Sequence, residues 1–338
     1  MHEQAVVCEQ GLSSRSARAT VVVCAFASGR LGQTVDCVRS VLRQDPAPGQ
    51  VIVVVDHNEP LKVELRARLP DEVEIVASQG GRGLSTARNT AIGRSRGEYI
   101  VFLDDDAIAG EHWLAGLLSG FDNADVIATG GHARPLWETG APGWLPPELL
   151  WVVGCSYAGL AESGVVRNPL GCNMAFRADL FQRVGMFNPG IGRLGSLPLG
   201  CEETEFCLRA ARRAPAGRVV LTGGAEIDHR VPAARVTASY LLRRCFFEGI
   251  SKALVRRLGD RRSLASERDY LRHALPQRLR TSARRALTGH GAQDAVGQVG
   301  AVLGSVGAAG IGYLVGSVAF AVRPPASGAP SPRLAEDA

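Results

Sequence analysis

Glu98-Tyr99-Ile100-Val101-Phe102-Leu103-Asp104-Asp105-Asp106 is the stretch that decides the fold. Its apolar run has the length of a strand and no polar alternation, so it predicts a strand buried on both faces. Such strands belong to α/β proteins, where helices cover both sides of a mainly parallel sheet. Three carboxylates at the end of a buried strand repel one another in a semi-buried crevice. A hard divalent cation removes that conflict, because Mg²⁺ and Mn²⁺ take carboxylate oxygens and share them with substrate phosphates. The position also suits a ligand, which in open α/β sheets sits just beyond the carboxyl ends of the strands. The bland alternative is a solvated acidic turn.

The flanking sequence repeats the pattern. Residues 20–27 (Thr-Val-Val-Val-Cys-Ala-Phe-Ala) form a second buried-strand run, and Val35, Val38, Val41 and Leu42 then fall at helical spacing. A strand from Val51 to Val55 ends in Asp56-His57-Asn58, and a short helix (about 61–69) and a strand (73–77) follow. Gln79-Gly80-Gly81-Arg82-Gly83 leads into a helix from about Ser85 to Arg96. This β-α-β-α-β alternation predicts a mainly parallel sheet covered on both faces. Past about residue 124 the pattern loosens. Strand candidates Val126–Gly131 and Val165–Phe176 flank a loop bearing Trp137, Trp144, Pro146, Pro147 and Trp151. Tryptophans there either stack on sugar rings or anchor the loop hydrophobically. A helix from about Glu202 to Arg213 precedes a strand at 218–222 and the run Ala225-Glu226-Ile227-Asp228-His229. Helical character resumes near Arg235 and continues, with breaks, to about 288.

The 338 residues suffice for one large α/β domain with an appendage, and 46% hydrophobic content supplies its core. The net charge of +5 comes largely from arginines between Arg243 and Arg285. A late basic stretch meets nucleic acid or an anionic membrane, and without an aromatic-interleaved recognition motif nucleic acid is the weaker reading. The eight cysteines contain no C-x-x-C pair and several lie in apolar segments, which predicts free thiols in a reducing, cytosolic compartment. Met1 to Arg18 lacks a signal-type apolar core, so a cytosolic catalytic part is expected. Residues 295–322 carry no charge and have the length of a membrane span, but seven glycines dilute their hydrophobicity. The segment either crosses the membrane or lies on it or on the protein. Gly300-x-x-x-Gly304 and Gly312-x-x-x-Gly316 permit close helix packing.

Four clusters carry chemistry. Asp104 and Asp106 flank one residue, so one can touch a metal while the other holds ribose or a metal-bound water. Asp56, at a strand end, accepts from a base or a ribose, or else caps the following turn. Glu202, Glu203 and Glu205 open a helix, where the macrodipole favours acids. Adjacent carboxylates facing a crevice also raise one another's pKa, as a general base near neutrality requires, and Glu203 is the candidate. His229 follows an apolar run, and is either a satisfied structural histidine or an imidazole completing a metal shell.

Gly83-Leu84-Ser85-Thr86-Ala87-Arg88-Asn89, followed by Gly97 to Asp106, resembles the core of family 2 glycosyltransferases with the GT-A fold. Gly171-Cys172-Asn173-Met174-Ala175-Phe176-Arg177, Val184-Gly185-Met186-Phe187 and the Cys201–Arg209 helix are similar to that family's acceptor-side segments. Two departures stand out: Cys201 replaces a glycine, and Glu203 stands where the usual base is Asp. Arg243 to Lys252 further resembles a subgroup that transfers sugars to polyprenyl- or dolichyl-phosphate acceptors. The resemblance covers about residues 20–260. It implies a nucleotide-diphospho-sugar donor, uridine-linked, with Ala25, Asp56, Arg88, Asn89, Asp104, Asp105 and Asn173 on the substrate side and Asp56 and Arg88 at the base. Mn²⁺ or Mg²⁺ would be held by Asp104 and Asp106, with His229 a further ligand. Glu203, beside Glu202, would deprotonate an acceptor hydroxyl of a lipid-linked glycan or other glycoconjugate, with inversion, at the cytosolic face of the membrane. The expected organisation is a disordered 1–18, a catalytic domain over 19–235 (nucleotide half about 19–108, acceptor half about 109–235), a basic helical extension over 236–290, an apolar helix over 291–323 and a disordered 324–338.

Two other readings stay open. A sugar nucleotidyltransferase needs a Gly-rich, basic loop after the first strand, which Ala25-Phe26-Ala27-Ser28-Gly29-Arg30 matches weakly. A non-catalytic sugar- or membrane-binding module would be signalled by loss of the acids, and all of them are present.

Overall fold

The computed structural model describes residues 14–192, 199–258, 263–288 and 291–322. The expected disorder of residues 1–13 and 324–338 lies outside the described residues. Residues 14–18 were expected to be disordered too. Instead Gly49 N–H donates to the Ser16 carbonyl at 3.0 Å, and Ser16 is buried.

The sheet-bearing part of the chain runs β1 (Ala19–Ala25), α1 (Leu31–Leu42), β2 (Gln50–Val55), α2 (Glu59–Arg66), β3 (Val73–Ala77), α3 (Leu84–Ile92) and β4 (Tyr99–Asp104). It continues with β5 (Ala107–Ala109), α4 (Trp113–Ser119), β6 (Val126–Trp137), β7 (Gly164–Val166), β8 (Asn173–Arg177), α5 (Ala178–Val184), α6 (Glu202–Arg213) and β9 (Arg218–Val231). The sheet order is β3-β2-β1-β4-β8-β6-β9-β5, with β7 paired to β9. From β3 to β4 every pairing is parallel, as expected. Beyond β4 the sheet is mixed: β8 runs antiparallel to both β4 and β6, while β6 and β9 are parallel. The single strand expected over Val165–Phe176 is two, separated around Pro169, which cannot donate to a ladder. The two runs expected at 218–222 and 225–229 are one strand, β9.

Side-chain alternation divides the core. Val21 and Val23 of β1 face α1, α2 and α4, and Trp113 closes that layer. Val22, Ile52 and Phe102 face α3, α5 and α6. There Phe176 meets Phe206 at a centroid distance of 5.2 Å, and Phe181 and Phe187 stack around them. Each fully buried ring contributes roughly 1.5–3 kcal/mol through removal from water, so this cluster fixes α6 and its opening acids against the sheet.

The extension comprises α7 (Ala238–Leu258), α8 (Ala265–Asp269), a π-helical turn (Tyr270–Ala274), α9 (Leu275–Thr288) and α10 (Ala292–Val322). α7 and α10 pack backbone to backbone. A Cβ on Gly312 would lie 1.9 Å from the Phe246 carbonyl oxygen, and one on Gly249 would lie 2.1 Å from that of Ala309, so only glycine fits at either crossing. A third apolar cluster, with Leu149, Leu241, Cys245 and Val302, joins these helices to the Trp-bearing loop, whose Pro147–Val153 stretch is a 3₁₀ helix.

Candidate active site

The register brings the acids together. Cys24 of β1 pairs with Asp104 of β4, and Ala25 with Val55 of β2, so Asp56 and Asp104 share the carboxyl edge of the parallel half. Immediately after β4 the chain turns into β5, whose Ala107 pairs antiparallel with His229 of β9. Arg230 N–H donates to the Asp106 carbonyl at 2.9 Å and locks that crossing. Asp104, Asp106 and His229 therefore converge from distant parts of the chain, and one ligand atom of each lies within 4.8 Å of the others.

Two carboxylates and an imidazole form an oxygen-rich donor set that suits a hard or borderline divalent ion. Asp106 Oδ1 lies 3.3 Å from His229 Nε2, and Oδ2 accepts from Arg235 and is paired with Arg30, each at 3.1 Å. Despite burial, His229, Arg235 and Arg30 hold the Asp106 carboxyl far below the ordinary range, so it stays ionised. Gly154 makes room for the imidazole. Its φ is +92°, and a Cβ there would stand 2.8 Å from His229 Cε1.

Asp105 takes no part in this convergence. It was expected on the substrate side, but its buried carboxylate turns towards Arg30 at 2.8 Å and does not line the cavity. Burial and Asp106 raise its pKa. Alternation along a strand end explains the divergence, since neighbouring side chains point opposite ways.

A cavity of about 700 Å³ opens from Asp104, Asp106 and His229 past Arg88, Glu202 and Glu203. Arg88, expected at the nucleotide base, is only 2% exposed and lies between carboxylates. It donates to Glu202 Oε1 and the Gly171 carbonyl, both at 2.8 Å, and stands 3.5 Å from Asp104 Oδ1. It thus ties the metal-side acid to the start of α6. Glu203 is half-buried in the same cavity. Desolvation first, and the Glu202 charge second, push its carboxyl up from 4.5 to about 7. The pairing of Glu202 with Arg88 distinguishes the two: Glu202 is held in an ion pair, and Glu203 carries the raised pKa.

Three further residues expected on the substrate side are turned to structural work. Asn173 is fully buried and accepts from Trp113 Nε1–H at 2.8 Å, while its amide donates to the His132 and Ala225 carbonyls. Asn89 donates to the Phe187 carbonyl and accepts from Phe187 N–H. Ala25 is buried within β1, its carbonyl accepting from Asp56 N–H at 2.7 Å. Asp56 stays at the sheet edge outside the cavity lining, where it accepts from Gly83 N–H at 3.0 Å and so ties the glycine loop to β2; Asn58, not Asp56, caps α2.

Sequence reasoning missed Arg30, Arg235 and Gly154, and it missed the wall supplied by the extension. That wall contains Arg244, Glu248, Lys252 and Glu267, with Arg167 from the segment after β7 beside them. Lys252 bridges Glu248 at 3.0 Å and Glu267 at 2.8 Å, and Arg244 pairs with Glu248 at 2.8 Å. These pairings hold both carboxyls down at about 2. Only the i, i+4 spacing of Arg244, Glu248 and Lys252 on one helical face signalled them in the sequence.

Residues 20–185 match the family model for glycosyl transferase family 2. The glucosyl-dolichyl phosphate glucuronosyltransferase of Haloferax volcanii is 31% identical over 242 residues, covering 70% of this chain and 77% of that protein. The succinoglycan biosynthesis protein ExoM of Rhizobium meliloti is 26% identical over 234 residues, covering 67% of this chain and 71% of its own. Among solved structures, the Pyrobaculum calidifontis mannosyltransferase PcManGT, in complex with GDP-Man and Mn²⁺, superposes with a TM-score of 0.56 at 20% identity. It covers 90% of this chain and 87% of that one, a likeness of fold. The chain belongs to glycosyl transferase family 2 and is a glycosyltransferase of GT-A fold with a helical extension.

Proposed function

We propose that this glycosyltransferase moves a sugar, with inversion, from a uridine-diphospho-sugar to a hydroxyl of a lipid-linked glycan at the cytoplasmic face of the membrane. The observation that carries the reading is the shared cavity: the Asp104–Asp106–His229 cluster and Glu203, a base tuned to neutrality, open into the same 700 Å³. Asp104, Asp106 and His229 would hold Mn²⁺ or Mg²⁺, which when bound offsets charge on a leaving diphosphate. Arg88 sets the distance between that cluster and α6 by gripping both. Glu203 takes the acceptor's hydroxyl proton. The acceptor oxygen forms its bond to the anomeric carbon as the bond to the diphosphate oxygen breaks, and the electron pair leaves with the nucleoside diphosphate. Attack from the Glu203 side, away from the departing diphosphate, inverts the centre.

The likeness to the glucosyl-dolichyl phosphate enzyme supports a lipid-linked acceptor. Among the described residues one helix, Ala292–Phe320, is long and apolar enough to cross a membrane. Its packing favours lying in the membrane plane. One side is closed against α7, which carries Arg243, Glu248, Lys252 and Arg256, and a spanning α10 would draw those charges into hydrocarbon. Its free side presents Leu303, Ile311, Leu314 and Val318, each more than half exposed. Product analysis tests the reaction: release of a nucleoside diphosphate supports glycosyl transfer, whereas pyrophosphate release would indicate nucleotidyl transfer and overturn it.

A further inference from the structure

The helix that carries Glu203 starts without a cap of its own. Cys201, the residue before Glu202, has φ +73° and makes no side-chain bond to the first turn. Among the described residues that are not glycine, only His57 shares a positive φ. The left-handed region crowds the Cβ of an ordinary residue against a carbonyl oxygen, so Cys201 is disposed to leave it. A helix start normally has extended backbone and a side-chain oxygen that receives an N–H, and Cys201 offers neither. Yet its carbonyl accepts from Glu205 N–H at 2.9 Å, and this opening bond of α6 sets where Glu202 and Glu203 stand. The turn is held from outside α6.

The support is α7. Buried Ser251 donates its Oγ–H to the Phe247 carbonyl at 3.0 Å, which leaves a lone pair to accept from Gly200 N–H at 3.1 Å. Glu248 Oε1 accepts from the Cys201 thiol at 3.6 Å, and Arg244 and Lys252 keep that carboxylate charged and in place. Residues 248, 251 and 252 share one face of the helix. The opposite face is closed against α10 through Gly249 and the Phe246 backbone, so α7 cannot yield. Phe206 anchors α6 one turn further on, and Arg88 grips Glu202. What remains to be fixed is the approach to the helix, and only the extension reaches it. We propose that Ser251 and Glu248 are positioning residues for the base: by holding Gly200 and Cys201 in the left-handed turn, they aim Glu203 into the cavity. The consequence for catalysis rests on Glu203 as the base; the hold on the turn does not.

Ser251→Ala, alone and combined with Cys201→Gly, tests this in the full chain. Alanine favours a helix, so α7 itself survives the change, and unchanged binding of UDP with Mn²⁺ reports a folded chain. Hydrogen exchange at the Gly200 and Glu205 amides is expected to quicken about tenfold in Ser251→Ala, with the β4 amides as they were. In nucleoside diphosphate release with a lipid-linked acceptor, kcat is expected to fall about tenfold at an unchanged donor KM. Glycine adopts the left-handed turn without being held. In the Cys201→Gly background the same serine change is therefore expected to lower kcat by less than about threefold. Unchanged exchange in Ser251→Ala, a raised donor KM at constant kcat, or an equal loss in both backgrounds would each overturn the positioning role. Glu203→Gln separates the two ideas: a near-wild-type rate there overturns the base, while the exchange data still decide whether α7 holds the turn.

Discussion

Replacing Glu203 by Gln keeps the size and hydrogen-bonding shape of the side chain and removes its capacity to accept a proton. A positioned base contributes about 10²–10⁴-fold to rate, or about 3–5 kcal/mol of barrier, so kcat is expected to fall by that factor while binding of UDP with Mn²⁺ holds. The structure adds a pH signature. With the carboxyl raised from 4.5 to about 7 by burial and Glu202, the active ionised form disappears below neutrality. In the wild type kcat/KM should climb through about pH 7, and at pH 6 stand near a tenth of its plateau, roughly one decade per unit on the acid limb. Glu202→Gln removes the like charge and frees Arg88 to favour the carboxylate, so the limb should move to lower pH. Stability has the opposite slope. The folded chain holds a proton that the unfolded chain releases between 4.5 and about 7, so this group's contribution declines as pH rises through that window. The assay is the initial rate of nucleoside diphosphate release with a lipid-linked acceptor across that range, paired with thermal melts. A Gln variant keeping more than about a tenth of the wild-type rate, or an acid limb unchanged in Glu202→Gln, refutes the assignment.

Asn173→Ala orphans Trp113 Nε1–H and the His132 and Ala225 carbonyls, and should cost about 3 kcal/mol in chemical denaturation without moving the KM for the donor; a shifted KM at unchanged stability would contradict the structural role. Gly154→Ala forces a Cβ against the His229 ring, and about tenfold weaker Mn²⁺-dependent nucleotide binding is expected by calorimetry, with wild-type affinity counting against His229 as a ligand. Replacing Leu303, Ile311 and Leu314 together by Ser should reduce co-sedimentation with anionic vesicles while leaving nucleotide binding intact; unchanged sedimentation would mean that α10 does not meet lipid through this side.

What the sequence disclosed was local. The run from Tyr99 to Leu103 and its parallel partners were legible because short, β-branched apolar runs bounded by polar or turn residues suit strands buried on both faces. The Glu202–Arg213 helix was legible to the residue, with acids at its start and arginines at its end. Strand direction beyond β4 was not, because antiparallel β8 and parallel β6 and β9 present the same kind of apolar run, and direction depends on the path between them. Partners of the acids escaped for a similar reason. Arg30 and Arg235 reach Asp106 across 76 and 129 residues of chain, and no local period records such a meeting. Asn173 and Asn89 sit inside segments that resemble the family, yet their amides bind backbone, and a motif does not say which way a side chain turns.

The central claim is that Asp104, Asp106 and His229 hold a cation that meets the donor's diphosphate. Anomalous diffraction at the manganese edge from crystals soaked with Mn²⁺ and UDP tests it most directly. The account predicts one strong peak within coordination distance of Asp104, Asp106 and His229 and of the nucleotide's phosphates. A peak elsewhere in the cavity, or UDP bound there with no metal beside it, would contradict it.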